Sequence, residues 1–569
     1  MLLLGLSGFG VTISSGRATD SFAQEPSAAT RIKIAPWVLE QTVGGKPAEF
    51  LVVLADQAAL GEAATAKTKK EKGRRVRDLL WTKAQTTQGP LLQWLRAHHV
   101  EHRPFYIVNA IWVKAGSDVV SELAQRTDVL RIEGNPQIRN FIPSEQGPLQ
   151  TDSTAAIEQG INYTNAPQVW ALGYTGQNVV IAGADTGYRW THAALKNQYR
   201  GWDGSLGTHN YNWHDSIHSA VNNPCGTDSA QPCDDVGHGT HTMGTAVGDD
   251  GLGNQIGMAP GAKWIGCRNM DQGAGTPARY MECMEFFLAP YPIGGTPAEG
   301  DPSKAPDIST NSWGCPPDEG CSARTLQAAV EAQRAAGILM VAAAGNAGSN
   351  CQTVKDPPAI YDAVYSVGAL TNGTDTIASF SSRGPVTIDN SFRLKPDICA
   401  PGTNVRSSTR ISDTSYGTMG GTSMAAPHVA GAVALLWSAQ PELHNDVAMT
   451  ETILNDTATH ILSGICDGNV SVSPNNTYGY GRLDIKAAVD RALFRVSDVV
   501  RDGSAVTVTF YAGASRTYRL ERKEQMDDAM WQSIPGLPDF TATTDGPAQL
   551  TDPGGGGGQG FYHVVMLQQ

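Results

Sequence analysis

Five short apolar runs constrain this chain more than anything else in it: 178–184, 262–267, 307–311, 338–343 and 363–369. Each is continuous rather than alternating. Each therefore suits a strand covered on both faces, as in the parallel sheets of α/β proteins. Helical patterns lie between them, for example 323–335 with Gly337 as its stop. One large α/β domain with a doubly wound, mostly parallel sheet is expected over 150–495. In such sheets ligands sit at the carboxyl ends of the strands.

The flanks read differently. A chain of 569 residues exceeds what one core holds. Over 45–135 the order of apolar segments is β-α-β-β-α-β, with the first helical region broken near Gly89-Pro90. That predicts a small α+β unit of ferredoxin-like arrangement within 24–149. From 496 to 569 the pattern turns β-like, with glycines 554–558 as a turn, and predicts a small all-β module. Residues 1–23 form a short apolar run ending in small residues near Ala23, which reads as a signal peptide without a basic start.

Charge and cysteine content narrow the function. A net charge of −13 argues against a nucleic-acid partner. No apolar run approaches the roughly 20 residues of a membrane span. All nine cysteines lie between Cys225 and Cys466. Cys225/Cys233 and Cys315/Cys321 bracket Gly/Pro-rich loops and are natural disulfides in an exported protein. Nine is odd, so one thiol stays unpaired within the chain, and Cys399 in its apolar run is the candidate.

Four stretches carry chemistry. Gly420-Gly421-Thr422-Ser423-Met424-Ala425-Ala426-Pro427-His428 places a serine where a glycine turn enters a small-residue helix. Val180-Ile181-Ala182-Gly183-Ala184-Asp185-Thr186-Gly187 ends an apolar strand in an aspartate. Asp234-Asp235-Val236-Gly237-His238-Gly239-Thr240-His241 puts a histidine at a helix start, and Ala343-Ala344-Gly345-Asn346 ends a strand in an asparagine. Singly, each has an ordinary reading: Ser423 as a helix cap, Asp185 and Asn346 as turn residues, His238 and His241 as polar helix-start residues or a weak zinc pair. Together they supply a nucleophile, a base, an orienting acid and an oxyanion donor, the parts that acyl transfer requires. The order Asp, His, Ser is that of subtilisin, which serves as a standard example of this triad order.

Asp185-Thr186-Gly187, His238-Gly239-Thr240-His241 and Gly421-Thr422-Ser423-Met424-Ala425-Ala426-Pro427-His428 resemble the three signatures of the subtilisin-like serine proteases. Asn311-Ser312-Trp313-Gly314 resembles the family's substrate-cleft strand, and 264–321 is closest to its bacillopeptidase F-like branch. The resemblance implies Asp185 as orienting acid, His238 as general base, Ser423 as nucleophile and Asn346 as oxyanion donor. It gives His192, His241 and His428 no catalytic role. It implies a primary pocket walled by Ser312, Trp313, Gly314, Ala344 and Gly345, protein or peptide substrates, and no cofactor for the chemistry. Residues 45–135 resemble the family's inhibitory propeptide, with release by a cut within 136–150. The family also implies a structural calcium, for which Asp249, Asp250 and Asn254 are the candidate ligands. Asp356 is either a loop residue before Pro357-Pro358 or a charge in the pocket that favours basic substrate residues. Two other functions fit parts of the pattern: a serine esterase, which the absence of Gly-x-Ser-x-Gly disfavours, and a non-catalytic surface-binding protein built on the β module. The expectation is a secreted, self-processing serine endopeptidase.

Overall fold

The computed structural model describes residues 31–140, 146–150, 156–494, 496–525, 530–554 and 560–567. The expected signal peptide and residues 141–145 of the expected processing segment lie outside them.

The N-terminal unit is an antiparallel sheet of β1 (Ala48–Leu54), β2 (Glu101–Phe105), β3 (Ala110–Ala115) and β4 (Val129–Gly134) in the order β2-β3-β1-β4. Helices α1 (Lys69–Thr87) and α2 (Gly89–Ala97) connect β1 to β2, and α3 (Ser117–Gln125) connects β3 to β4. Thr68 caps α1 by accepting the Glu71 N–H, and Pro90 sits in the first turn of α2, where its missing N–H costs nothing. The structure begins the second strand at Glu101, three residues before the expected 104–108. Residues 106–109 instead form a buried turn, so the apolar run there marks packing rather than strand. A short strand, β5 (Ile138–Arg139), follows the unit.

The large domain holds a seven-stranded sheet. Its members are β6 (Val180–Asp185), β7 (Trp213–Asp215), β8 (Lys263–Arg268), β10 (Ile308–Asn311), β11 (Leu339–Ala343), β12 (Tyr365–Leu370) and β13 (Ile398–Pro401). All pairings are parallel, in the order β13-β12-β11-β10-β6-β8-β7. The label β9 is kept for Ala274–Gly275, outside this sheet, which pairs antiparallel with β5. The sheet residues are nearly all buried, as a parallel sheet covered on both faces requires, including the polar residues of β10 (Ile-Ser-Thr-Asn).

Helices α4 (His238–Val247), α5 (Pro277–Leu288), α6 (Gln327–Ala335) and α7 (Thr422–Ala439) cover the sheet. α7 is apolar all round and is the most central; 17 of its residues are buried, against sheet strands on one side and α4 on another. The antiparallel pair β14 (Val405–Ser408) and β15 (Tyr416–Met419) leads into it. Beyond the large domain, β16 (Val496–Asp502), β17 (Ala505–Ala512) and β19 (Gly546–Asp552) form one antiparallel sheet. β18 (Thr517–Lys523) and β20 (Phe561–Leu567) anchor a second, around Phe510, Tyr518 and Leu550.

The N-terminal unit packs on α5 and α6. Val76, Leu80 and Tyr106 share an apolar cluster with Met281, Met284 and Val330. The Glu285 carboxylate on α5 accepts the Tyr106 and Ile107 N–H groups at 2.6 and 3.0 Å, and burial pushes this carboxyl up to about 7. Beside it Glu282 pairs with Arg103 of β2 and with His214 and His218.

Candidate active site

The carboxyl ends of β6, β10 and β11 meet the amino ends of α4 and α7. Asp185 is the last residue of β6 and is buried. Its Oδ1 accepts from His238 Nδ1 at 2.7 Å and from the Thr186 N–H at 2.7 Å, and its Oδ2 accepts from Thr242 Oγ1 at 3.3 Å. His238 is the first residue of α4 and is completely buried. The approach is close: a Cβ at Gly239 would collide with the Gly187 carbonyl, so only glycine lets α4 come this near the strand end.

Asp234 fixes that geometry. Its Oδ1 accepts from Thr186 Oγ1 (2.9 Å) and the Gly237 N–H (2.7 Å), and its Oδ2 accepts from the Thr240 N–H (3.0 Å). One carboxylate thus ties the turn after Asp185 to the turn before His238, while satisfying N–H groups that α4 leaves open. The signal for this role was an acidic residue shortly before the helix start.

With Nδ1 donating to Asp185, His238 Nε2 remains. It is buried and has no hydrogen-bond partner among the described residues. Burial alone would lower this histidine's pKa, but the charge and hydrogen bond of Asp185 outweigh it and raise the value above the ordinary one. The other buried histidines move the opposite way. Burial pushes His241 down to about 3 and His428 to about 4, and it lowers His192. Their ring nitrogens bond to main-chain carbonyls of Val405, Met424 and Ser415.

Ser423 lies in the first turn of α7, buried, and α7 packs directly on α4. Its carbonyl accepts from Ser312 Oγ at 3.2 Å. Asn346 follows Gly345, which holds a left-handed φ of +105° at the end of β11. The Asn346 Oδ1 accepts from the Thr422 N–H at 2.9 Å and Thr422 Oγ1 at 3.0 Å. With its Oδ1 bonded to Thr422, the residue before Ser423, the Asn346 carboxamide is left with its NH₂ as a donor group by chemistry alone. The role of Thr422 had no separate signal in the sequence.

Ser312, Trp313 and Gly314 follow the carboxyl end of β10. Trp313 stacks on Tyr280 with ring centroids 3.9 Å apart, and its Nε1 donates to the Ala184 carbonyl at 3.1 Å. The Ala344 N–H donates to the Val367 carbonyl at 3.0 Å. Chain that follows the N-terminal unit lies beside Gly314 and Tyr280. β5 pairs with β9, Ile138 is fully buried, and the Asn140 N–H donates to the Gly273 carbonyl at 3.2 Å. The Asn140 carboxamide accepts from the Gly314 N–H at 2.8 Å and donates to Tyr280 at 2.8 Å. Asp356 packs against Gly314, and one carboxylate oxygen is buried without a partner among the described residues. Burial pushes its carboxyl up to about 6.

A second charged network adjoins the first. Arg268 ends β8 and lies level with Asp185 of β6 on one side and Asp215 of β7 on the other. Its guanidinium takes Asp215 with two hydrogen bonds, at 2.9 and 2.7 Å, and donates to the Gly226 carbonyl at 2.7 Å.

Four disulfides frame these walls: Cys225–Cys233, Cys267–Cys283, Cys315–Cys321 and Cys351–Cys466. The first and third match the expected pairs, and spacing gave no signal for the other two. Cys399 is the free, buried thiol.

The calcium expectation meets a different arrangement. Asp250 accepts from the Leu252 and Asn254 N–H groups and from Tyr416, and Asn254 Oδ1 accepts from Arg406 at 2.9 Å. Oxygens already engaged by N–H and O–H donors, beside a guanidinium, do not make a cation site. Among the described residues no group of three or more His, Cys, Asp or Glu side chains is placed to hold a metal. No described helix is long and apolar enough to cross a membrane.

The model of the subtilase family matches residues 176–481. Bacillopeptidase F of Bacillus subtilis (strain 168) is 35% identical over 448 residues, covering 74% of this chain and 29% of that protein. Serine protease AprX of Bacillus subtilis (strain 168) is 32% identical over 329 residues, covering 52% of this chain and 66% of the relative. Subtilisin DY of Bacillus licheniformis is 30% identical over 334 residues, covering 58% of this chain and 98% of the relative. The chain thus spans less than a third of bacillopeptidase F and about two thirds of AprX. The family match covers more than half of the chain, and almost the whole of subtilisin DY aligns with it: this chain belongs to the subtilase family.

Proposed function

We propose that this protein is a secreted serine endopeptidase, made as a zymogen that processes itself, with Asp185, His238 and Ser423 as its triad. The observation that carries this reading is the buried His238 ring. Asp185 holds one nitrogen, and the other has no partner among the described residues, on a helix packed against the one that bears Ser423.

In this reading Ser423 Oγ attacks the scissile carbonyl carbon while His238 Nε2 takes its proton. Asp185 keeps the ring in the tautomer whose Nε2 lone pair faces the serine, and stabilises the imidazolium that forms. The carbonyl oxygen becomes an oxyanion, held by the Asn346 NH₂ and the Ser423 N–H at the start of α7. The imidazolium returns its proton to the leaving amine, which departs with its half of the chain. Water, deprotonated by the same histidine, then releases the acyl group from Ser423. These steps use the chain's own side chains and N–H groups together with one water.

Backbone pairing through β5 and β9 is the way an extended substrate would lie against the cleft. The segment after the N-terminal unit takes that position, which supports reading 24–149 as an inhibitory propeptide released by a cut within 136–150. The described disulfides support export to an oxidising compartment.

Ser423→Ala is expected to abolish casein hydrolysis and labelling by an active-serine phosphonate, and to leave the full-length chain uncut by N-terminal sequencing. A Ser423→Ala protein that turns over casein at the parent rate, or is still labelled, refutes the assignment.

A further inference from the structure

The loop after α4 holds the oxygen-rich residues that the family resemblance marks for calcium, yet a guanidinium lies among them. Arg406, on β14, is 8% exposed. Its Nη1 donates to Glu158 Oε1 at 2.9 Å and its Nη2 to Asn254 Oδ1 at 2.9 Å. The guanidinium carbon sits 4.5 Å from the centre of the Tyr416 ring on the neighbouring strand β15. Tyr416 in turn donates to Asp250 Oδ2 at 2.9 Å, and Asp250 Oδ2 also accepts from Asn254 Nδ2 at 2.6 Å.

These contacts gather three separate stretches of chain. Residues 156–157 pair in parallel with 254–255, and the Glu158 N–H donates to the Gln255 carbonyl at 3.1 Å. Strand β14 comes from about 150 residues further along the chain, and its Arg406 reaches both stretches at once. A bound calcium does the same kind of work: it draws carboxylate and amide oxygens from distant segments around one positive charge. Here the charge is covalently part of the chain, and its planar fork matches oxygen acceptors on two sides.

We propose that Arg406 takes the place of a structural cation, so that the 249–255 loop is held to the domain without calcium. The inference goes beyond the catalytic reading and does not depend on it. Its readout is unfolding, which is measured whether or not Ser423 is the nucleophile.

The test uses the full chain carrying Ser423→Ala, to suppress self-digestion, with and without Arg406→Gln. Thermal unfolding is followed in millimolar calcium and in excess chelator. The parent is expected to unfold at the same temperature in both, within about 1 °C, whereas breaking a buried pair should lower the variant's Tm in chelator by about 5 °C or more. Calcium should recover part of that loss, because Glu158 and Asn254 oxygens are released for it. A parent that responds to calcium as strongly as the variant overturns the proposal. So does a variant that keeps its Tm in chelator, or one that loses Tm with no response to calcium. Where Arg406→Gln does not fold, equilibrium dialysis of the parent decides. Stoichiometric calcium that is lost on Asn254→Ala overturns the proposal, and no calcium dependent on Asn254 supports it.

Discussion

Two buried charge networks sit side by side at the carboxyl edge of the main sheet, and they differ in one respect. Arg268 and Asp215 close on each other: two hydrogen bonds join them, and the guanidinium is further occupied by Gly226 and Asn223. Asp185 and His238 stay open: the carboxylate is used, but one ring nitrogen is buried with no hydrogen-bond partner among the described residues. The register sets Arg268 level with both Asp185 and Asp215. Because Asp215 takes the guanidinium in both its prongs, Asp185 is left to the histidine. A buried polar group without a partner costs stability, so one that persists next to a serine helix is more informative than any number of satisfied pairs.

Substitutions in the two networks should therefore fail in different ways. The largest effect is expected for Asp185→Asn, which keeps the shape but turns the histidine to the wrong tautomer: kcat should fall by about 10⁴ with the chain still folded. A loss of less than tenfold would detach Asp185 from the chemistry. Arg268→Met should do the reverse. It leaves Asp215 buried without its partner, which costs about 3–5 kcal/mol of stability, read as a lower denaturation midpoint. The kcat of the protein that remains folded should change less than tenfold. If Arg268→Met instead abolishes turnover in folded protein, the two networks are one.

A pH profile sharpens the contrast without mutation. The base must be neutral, and Asp185 raises the His238 value, so the acid limb of kcat/KM should lie above pH 6.5. His241, pushed down to about 3, should contribute no limb there. The stability contribution of His238 has the opposite sense. It is complete below the ordinary histidine value and fades as pH rises through the raised one. An acid limb below pH 6 would mean that burial, not Asp185, controls the ring.

The smallest effect concerns Asp356, whose buried oxygen also has no partner among the described residues. Its folded value of about 6 lies above the ordinary 3.8, so its destabilising charge is absent at low pH and fully present above about 6. Asp356→Asn should raise Tm slightly at pH 8. If the carboxylate faces the substrate, the substitution should also cut the preference for lysine or arginine over phenylalanine by about tenfold. An unchanged preference restricts Asp356 to the loop.

Much of this was legible in the chain. The five runs gave five of the seven sheet strands, with ends shifted by at most two residues; four are mainly apolar, because sheet burial leaves a direct compositional mark, whereas 307–311 has Ile308 as its one apolar residue. β7 and β13 were not read as strands. β7 is three residues long and carries His214 and Asp215, and β13 ends in Pro401. The four site residues stood at strand ends and helix starts, where glycine and small residues make a pattern. What stayed hidden depends on contacts across long separations. Asp234 to Thr186, Thr422 to Asn346, Asn140 to Gly314 and Arg406 to Glu158 each join segments that no local spacing relates. The surroundings of the calcium candidates were hidden for the same reason: oxygen donors on a glycine-rich loop were visible, and the arginine that engages one of them lies about 150 residues away.

The Cys351–Cys466 bond joins the loop beyond Asn346 to a point 115 residues further along. Between its ends lie β12, β13, the hairpin of β14 and β15, and the whole of α7 with Ser423. The turn near 388–392 bulges from this stretch, with Ile388 43% and Phe392 67% exposed. A molecule nicked there by a neighbour keeps both halves tethered, one bearing Asn346 and the other Ser423. On a gel it would run whole until a reductant is added. If the molecules digest one another, as the proposed activity implies, such damage is visible only under reduction, and wear accumulates before any piece is shed.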